Sequence, residues 1–201
     1  MWRLIVMEQK ITYFEELKKE NTQKTFEVAL QRGKELGINT YLVASTSGWT
    51  GVEASKEFEG QKLIIVSHCY GSREPDKWFF TDENLAVLKD KGVPVVTAAH
   101  AFGGITRAMN QMNIQAAPTT YVIGDIVANT LRMFGQGMKV VAEIACMAAD
   151  AGLVRCDTDI ISIAGSGRVG GADVAVVLQP ANSHRLFQTK IREIICKPRE
   201  F

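Results

Sequence analysis

The sequence predicts an α/β protein, a three-layer α/β/α sandwich around a mostly parallel sheet. Apolar runs of strand length at 40–44 ("TYLVA"), 62–67 ("KLIIVS") and 93–97 ("VPVVT") alternate with stretches of helical period, as parallel strands joined by crossover helices require. The second run is apolar almost throughout, the pattern of a strand covered on both faces. Near the end, "DIISIA" and "ADVAVVL" are separated only by a glycine-rich stretch. That is too short for a crossover, so the later strand has to return antiparallel.

The elements follow in order. "NTQKTFEVALQRGKELG" puts Phe26, Ala29, Leu30 and Leu36 on one helical face, with Thr22 as a candidate cap and Gly37 as a stop. The strand at 40–44 leads through a polar loop to "VEASKEF", a short helix, and then to the strand at 62–67. "TDENLAVLKDKG" carries acids in its first turn and lysines in its last, matching the helix dipole, and Gly92 ends it before the third strand. From Ala98 to Gly135 the pattern loosens into "AHAFGGITRAMNQMNIQAAPTT" before Tyr121 to Phe134 turns helical again, so an insertion at about 98–135 is expected over the edge or mouth of the sheet. "QGMKVVAEIACMAADAG" is nearly apolar all round, the mark of a helix sandwiched between layers. It delivers the chain to the fourth strand, "DIISIAG", followed by the antiparallel fifth, and "REIIC" can add a sixth. Counted one to five, the strands are expected in the order 3-2-1-4-5, within a single α/β domain over 1–201.

With 201 residues, 46% of them hydrophobic, and a formal net charge of +1, one well-buried domain is the default. Lys and Arg are scattered among Asp and Glu, which argues against a nucleic-acid partner. The apolar stretch from Trp2 to Met7 is shorter than a secretory core or a membrane span, so the expected location is cytoplasmic, without membrane contact. Cys69, Cys146, Cys156 and Cys196 are widely spaced, with no CxxC pair to signal zinc or a disulfide framework.

"GSGRVG" at 165–170 matches a dinucleotide-binding fingerprint in letters only. That motif needs a helix to follow, and the run that follows is a strand, so these glycines are read as a hairpin loop. In an open sheet, ligands sit beyond the carboxyl ends of strands where strand order reverses. The expected order puts that point between the strand at 40–44 and "DIISIA". The loop "STSGWTG" would then face the loop "GSGRVGG" across one pocket.

The first of these loops has the composition of a phosphate cradle. A helix starting near Gly51 offers unpaired amides and a positive dipole end, Ser45, Thr46, Ser47 and Thr50 add hydroxyls, and Gly48 lets the backbone close on an anion. No GK[ST] is present, so a phosphomonoester fits better than a nucleoside triphosphate. His68 and Cys69 follow the second strand and His100 the third, which puts both imidazoles at the same cleft without an obvious triad or metal set. His184 has less to connect it with the site.

"ASTSGWTGVEASK" resembles the phosphate-binding turn of the C-terminal α/β domain of pyruvate kinase, and the layout is similar over roughly 21–96 and 139–178. The insertion at about 98–135 departs from that domain. The chain therefore looks like a free-standing member of the pyruvate kinase C-terminal-domain-like family. The resemblance implies FMN as cofactor, its phosphate held by Ser45, Thr46, Ser47, Gly48, Trp49, Thr50 and Gly51. A flavin ring also wants an apolar or aromatic surface and a cation near N1 and O2. Trp49, Tyr70 and Phe102 are candidates for the surface and Arg168 for the cation, beside Gly165, Ser166 and Gly167. Two functions follow: an FMN-binding protein with a flavin-dependent oxidoreductase as one use, or a non-enzymatic sensor or carrier of a phosphorylated metabolite. The expected partner is a small molecule bearing a phosphate, and homo-oligomer formation stays open.

Overall fold

The computed structural model describes residues 7–109, 122–167 and 169–201. Its strands are β1 (Thr12–Phe14), β2 (Thr40–Ala44), β3 (Lys62–Ser67), β4 (Val95–Thr97), β5 (Ile160–Ala164), β6 (Val174–Gln179) and β7 (Lys190–Pro198). Five helices are α1 (Asn21–Leu36), α2 (Trp49–Glu57), α3 (Asp82–Asp90), α4 (Ile123–Arg132) and α5 (Gln136–Asp150). A further helical turn spans 104–109, and a 3-10 segment covers Ser183–Gln188.

The strands form one sheet in the order β1-β7-β6-β5-β2-β3-β4. Its stretch β4-β3-β2-β5-β6 is the 3-2-1-4-5 order read from the sequence. β6 runs antiparallel to both β5 and β7, and the remaining pairs are parallel. The strand at "REIIC" is present as β7. Beyond it lies β1, three residues paired through Thr12↔Cys196 to Phe14↔Pro198, which the sequence reading did not contain.

Helices cover both faces. On one side Phe26 of α1, Ala54 of α2 and Leu88 of α3 join Tyr41, Val43, Ile65, Ile161 and Ile163 in a core, with Phe58 stacked on Tyr41 at 4.4 Å. On the other, α5 lays Met138, Val141, Ile144, Ala145 and Ala148 against Leu42, Ile64, Val66, Val174 and Val176. α4 packs outside α5 through Ala128, Phe102 and Ala142. The period-two alternation of β2, β3 and β6 is what divides each strand between the two cores.

Two local expectations change. Thr22 is not the cap of α1, because Glu20 holds that position without a side-chain bond. Instead Thr22 Oγ1 donates to the Lys19 carbonyl at 2.6 Å and accepts from the Ala172 amide at 3.0 Å, tying the helix start to the loop before β6. Leu36 is 39% exposed rather than part of the buried face, while Gly37 ends the helix in the left-handed conformation (φ +69°). α3 starts as read, with the Asn84 amide donating to the Thr81 hydroxyl at 3.3 Å.

Connections from β2 run outward through α2 and α3 to β4, and α5 returns on the opposite face to place β5 on the other side of β2. The β2/β5 pair is therefore the point where strand order reverses, and the carboxyl ends of these strands open into a cleft.

Candidate functional site

The cleft has a volume of about 560 Å³. One wall is the β2–α2 turn. The Ser45 amide donates to the Val66 carbonyl at 2.9 Å, and its hydroxyl accepts from the Gly51 amide at 3.2 Å, so Ser45 closes the start of α2 from within. Trp49 and Thr50 stand at the helix start, where amides have no carbonyl one turn earlier. Beside them Thr46, Ser47 and Thr50 line the cleft. Lys19 places its ammonium 3.6 Å from the centre of the Trp49 ring, adding a positive charge to the same wall.

The glycines of this turn serve the fold as much as any ligand. Gly48 has φ +93°, and a Cβ there would lie 2.5 Å from Asn84 Cβ and 2.6 Å from Phe80 Cε1. A Cβ added at Gly51 would fall 3.2 Å from the Ile65 side chain. Both residues are buried against α3 and β3 and stand outside the cleft lining.

The opposite wall is the loop between β5 and β6, with Gly165, Ser166, Gly167, Val169, Gly170 and Gly171 lining the cleft. The loop doubles back so closely that a Cβ on Gly165 would lie 2.3 Å from the Gly171 carbonyl oxygen. Its base is held by Asp173, which is 2% exposed and accepts from the Ser166 amide at 3.2 Å. Burial raises the Asp173 pKa above the ordinary carboxylate value, with that amide bond acting against it. Among the described residues, Asp173 Oδ1 and Ser166 Oγ are buried side-chain atoms without a hydrogen-bond partner. Arg168 lies outside the described residues, so its proposed place near a flavin ring has no structural account.

The floor comes from α5. Lys139 and Glu143, one helical turn apart and each 3% exposed, form an ion pair inside the cleft. The Phe102 amide donates to Glu143 Oε1 at 3.0 Å and fixes the carboxylate. Burial holds the Lys139 pKa below its ordinary value even though Glu143 pulls it upward.

At the far end His68 and His100 meet edge to face, ring centres 4.5 Å apart. Burial, together with His100, Arg107 and Arg73, pushes the His68 pKa down to about 4. His100 is lowered as well, by burial first, with Arg107 and Lys139 acting the same way and Glu143 against them. Both imidazoles are therefore neutral at pH 7 and able to accept a proton. Arg73 and Arg107 line this end of the cleft.

The structure thus gathers Ser45, Thr46, Ser47, Trp49, Thr50, His68, His100, Gly165, Ser166 and Gly167 around one space. It does not bring five other candidates there: Gly48 and Gly51, packed against α3 and β3, and three more. Tyr70 is 59% exposed and stacks on Trp78 at 5.3 Å, because Trp78 is anchored by donating to the His68 carbonyl at 2.9 Å. Phe102 is 5% exposed and buried against α4 and α5, offering its amide to Glu143 rather than its ring to the cleft. Cys69 is a half-buried free thiol outside the lining. Conversely, Lys19, Ser67, Arg73, Arg107, Lys139 and Glu143 line the cleft and were not among the candidates.

Among the described residues no group of three or more His, Cys, Asp or Glu is arranged to hold a metal ion, and no helix is long and apolar enough to cross a membrane. No family model matches the sequence. Among solved structures, the NH3-dependent NAD synthetase from Campylobacter jejuni subsp. jejuni NCTC 11168, in complex with the nitrate ion, is similar at 8% identity and a TM-score of 0.32, over 72% of this chain. The chain spans 54% of that protein's length, and nothing further rests on the likeness.

Proposed function

We propose that the cleft binds a phosphorylated small molecule, with the phosphate at the β2–α2 turn, and that FMN is the occupant. The observation that carries the reading is the start of α2: first-turn amides at Trp49 and Thr50, three hydroxyls and the Lys19 ammonium converge at a strand's carboxyl end. The resemblance of this turn to the pyruvate kinase C-terminal domain supports the same place for the phosphate and is the source of the flavin assignment.

The residues present fit an FMN molecule in three respects. The cleft volume is within the range of cofactor sites, which span about 300 to 1,000 Å³. Trp49 gives an aromatic surface next to the phosphate wall, and Val140, Ile144 and Met147 give an apolar patch on α5. Ser166 Oγ, buried beside the cleft and without a hydrogen-bond partner among the described residues, is available to a polar ligand edge. When bound, FMN supplies one- and two-electron transfer. The chain's own part is to hold the phosphate, keep the Lys139 ammonium and the neutral His68–His100 pair along the ligand, and exclude water from the floor. Four free thiols, Cys156 exposed among them, suit a reducing, cytoplasmic compartment.

The test is the absorbance spectrum of the purified protein, together with FMN titration of protein stripped of ligand. Flavin bands and saturable binding are expected. Ser47→Ala and Thr50→Ala should each weaken binding by about 1 to 3 kcal/mol, the cost of a lost hydrogen bond to a charged group. Absence of flavin binding, with phosphate esters still bound at the turn, would replace this reading by that of a sensor or carrier of a phosphorylated metabolite.

A further inference from the structure

The charges lining the cleft are unequal. Among the described residues, Lys19, Arg73, Arg107 and Lys139 line the cleft with one carboxylate, Glu143, in a protein whose formal net charge is only +1. Glu143 is committed to Lys139, and among the described residues neither Arg73 nor Arg107 forms an ion pair. The unneutralised cations fall at two ends. Lys19 stands at the α2 turn, whereas Arg73 and Arg107 stand with His68 and His100 beyond the ends of β3 and β4.

One phosphate at the α2 turn leaves the far end uncompensated. Arg73 and Arg107 are exposed residues lining the cleft with the half-buried imidazole pair, Arg73 with its guanidinium 5.0 Å from the centre of the Phe79 ring, and neither has a carboxylate partner among the described residues. Planar guanidinium forks match carboxylate and phosphoryl oxygens, and a neutral imidazole beside them can donate one hydrogen bond and accept a proton. Lys139 completes the set as a buried donor lining the same cleft, held in place by Glu143.

We propose that the His68–His100 end of the cleft is a second anion subsite, in which Arg73, Arg107 and Lys139 receive a carboxylate or phosphoryl group of a co-substrate bound beside the phosphorylated ligand. This deepens the functional reading above but is tested away from the α2 turn that carries that reading, so the two fail separately. The site becomes a two-ligand cleft, with an imidazole pair able to take or return a proton at the second ligand. Burial is the main cause of the depressed pKa of both histidines, and Arg107, which has no ion-pair partner among the described residues, adds to it at each.

The experiment uses the protein as purified and follows the imidazole resonances of His68, His100 and His184 by NMR during titration with sodium sulfate or sodium succinate at constant ionic strength. His184, exposed in the 3-10 segment outside the cleft, is the internal reference. Expected are saturable shifts at His68 and His100 alone, and an upward move of their titration midpoints. Arg107→Gln should weaken the response at least about tenfold, the usual size for a charge-assisted contact. Lys34→Gln, which removes a cation from the last turn of α1, should leave it unchanged. Ser47→Ala and Thr50→Ala, which test the α2 turn, should also leave it unchanged. Tighter succinate than sulfate assigns a carboxylate co-substrate, and the reverse a phosphoryl one. Unmoved His68 and His100 signals, or an Arg107→Gln response equal to the parent's, would overturn the proposal whatever FMN does.

Discussion

Replacing Glu143 by Gln should be among the most damaging single changes in the cleft, and the damage should depend on pH. The substitution keeps an oxygen for the Phe102 amide but removes the counter-ion of Lys139, which is 3% exposed. Breaking one side of a buried pair costs about 3 to 5 kcal/mol. At roughly 2 to 4 °C per kcal/mol for a chain of this size, the melting temperature should fall by about 6 to 20 °C. Burial already holds the folded pKa of Lys139 below its unfolded value of 10.5, and without Glu143 it falls further. Between the folded and unfolded values the unfolded chain binds more protons, so stability rises with pH there and the deficit should narrow as Lys139 sheds its proton. Urea unfolding at pH 6 and pH 9 reads both effects. The double variant Lys139→Met/Glu143→Gln, with no charge left to bury, should recover most of the loss. A Glu143→Gln protein within about 1 kcal/mol of the parent at pH 6, a gap far below the cost of an orphaned buried charge, would refute the reasoning. So would a double variant no more stable than the single one.

Gly48→Val should destabilise the fold itself, since the new side chain meets Asn84 and Phe80 at a backbone angle β-branched residues avoid. A loss of about 2 kcal/mol or more in thermal or urea unfolding is expected, and an unchanged midpoint would contradict the close packing of α2 on α3. His68 has a folded pKa of about 4 against an ordinary 6.5, so the unfolded chain binds the extra proton first and stability should fall as pH drops through that interval. His68→Gln should flatten this part of the stability profile, measured by urea unfolding from pH 7 to pH 4. Burial raises the Cys146 thiol to about 11 and the Cys196 thiol to about 12, while Cys69 is half-buried and Cys156 exposed. A thiol reagent under native conditions should therefore label Cys69 and Cys156, reaching the other two only on unfolding.

The fold was legible because its information is local. Strand-length apolar runs, helix-length spacers and one glycine hairpin determine which neighbours are parallel and which is not, and the order β4-β3-β2-β5-β6 follows with little else. β1 escaped because three residues at a sheet edge, "TYF" beside "EELKK", have no period to detect, and its pairing with β7 is decided more than 180 residues later. Thr22 was misplaced for a related reason. A threonine at a helix start is locally a cap, whereas here its hydroxyl is held by the Lys19 carbonyl and the distant Ala172 amide. That same tie links the residues before α1 to the glycine loop at the cleft. Nothing in the spacing between residues 19 and 49 announces that Lys19 will lie over Trp49.

The site was half legible, and the missing half divides by cause. The turn before α2 and the loop after β5 were readable because hydroxyls and glycines at strand ends have few other uses. Arg73 and Arg107 were not, since one lies in the irregular segment after β3 and the other in the short helical turn at 104–109, where sequence period says nothing about which way the chain folds back. Lys139 and Glu143 did leave a signal. A helix apolar on every side is buried on every side, so two charges four residues apart within "KVVAE" have no solvent-facing position to occupy. They must be buried, and a buried charge is tolerated only when paired, which i and i+4 geometry allows. Such a pair contributes little to stability compared with apolar replacements of the same volume. Its place on the floor of a cleft that also holds two neutral imidazoles is therefore better explained by what the cleft binds than by what holds the fold together.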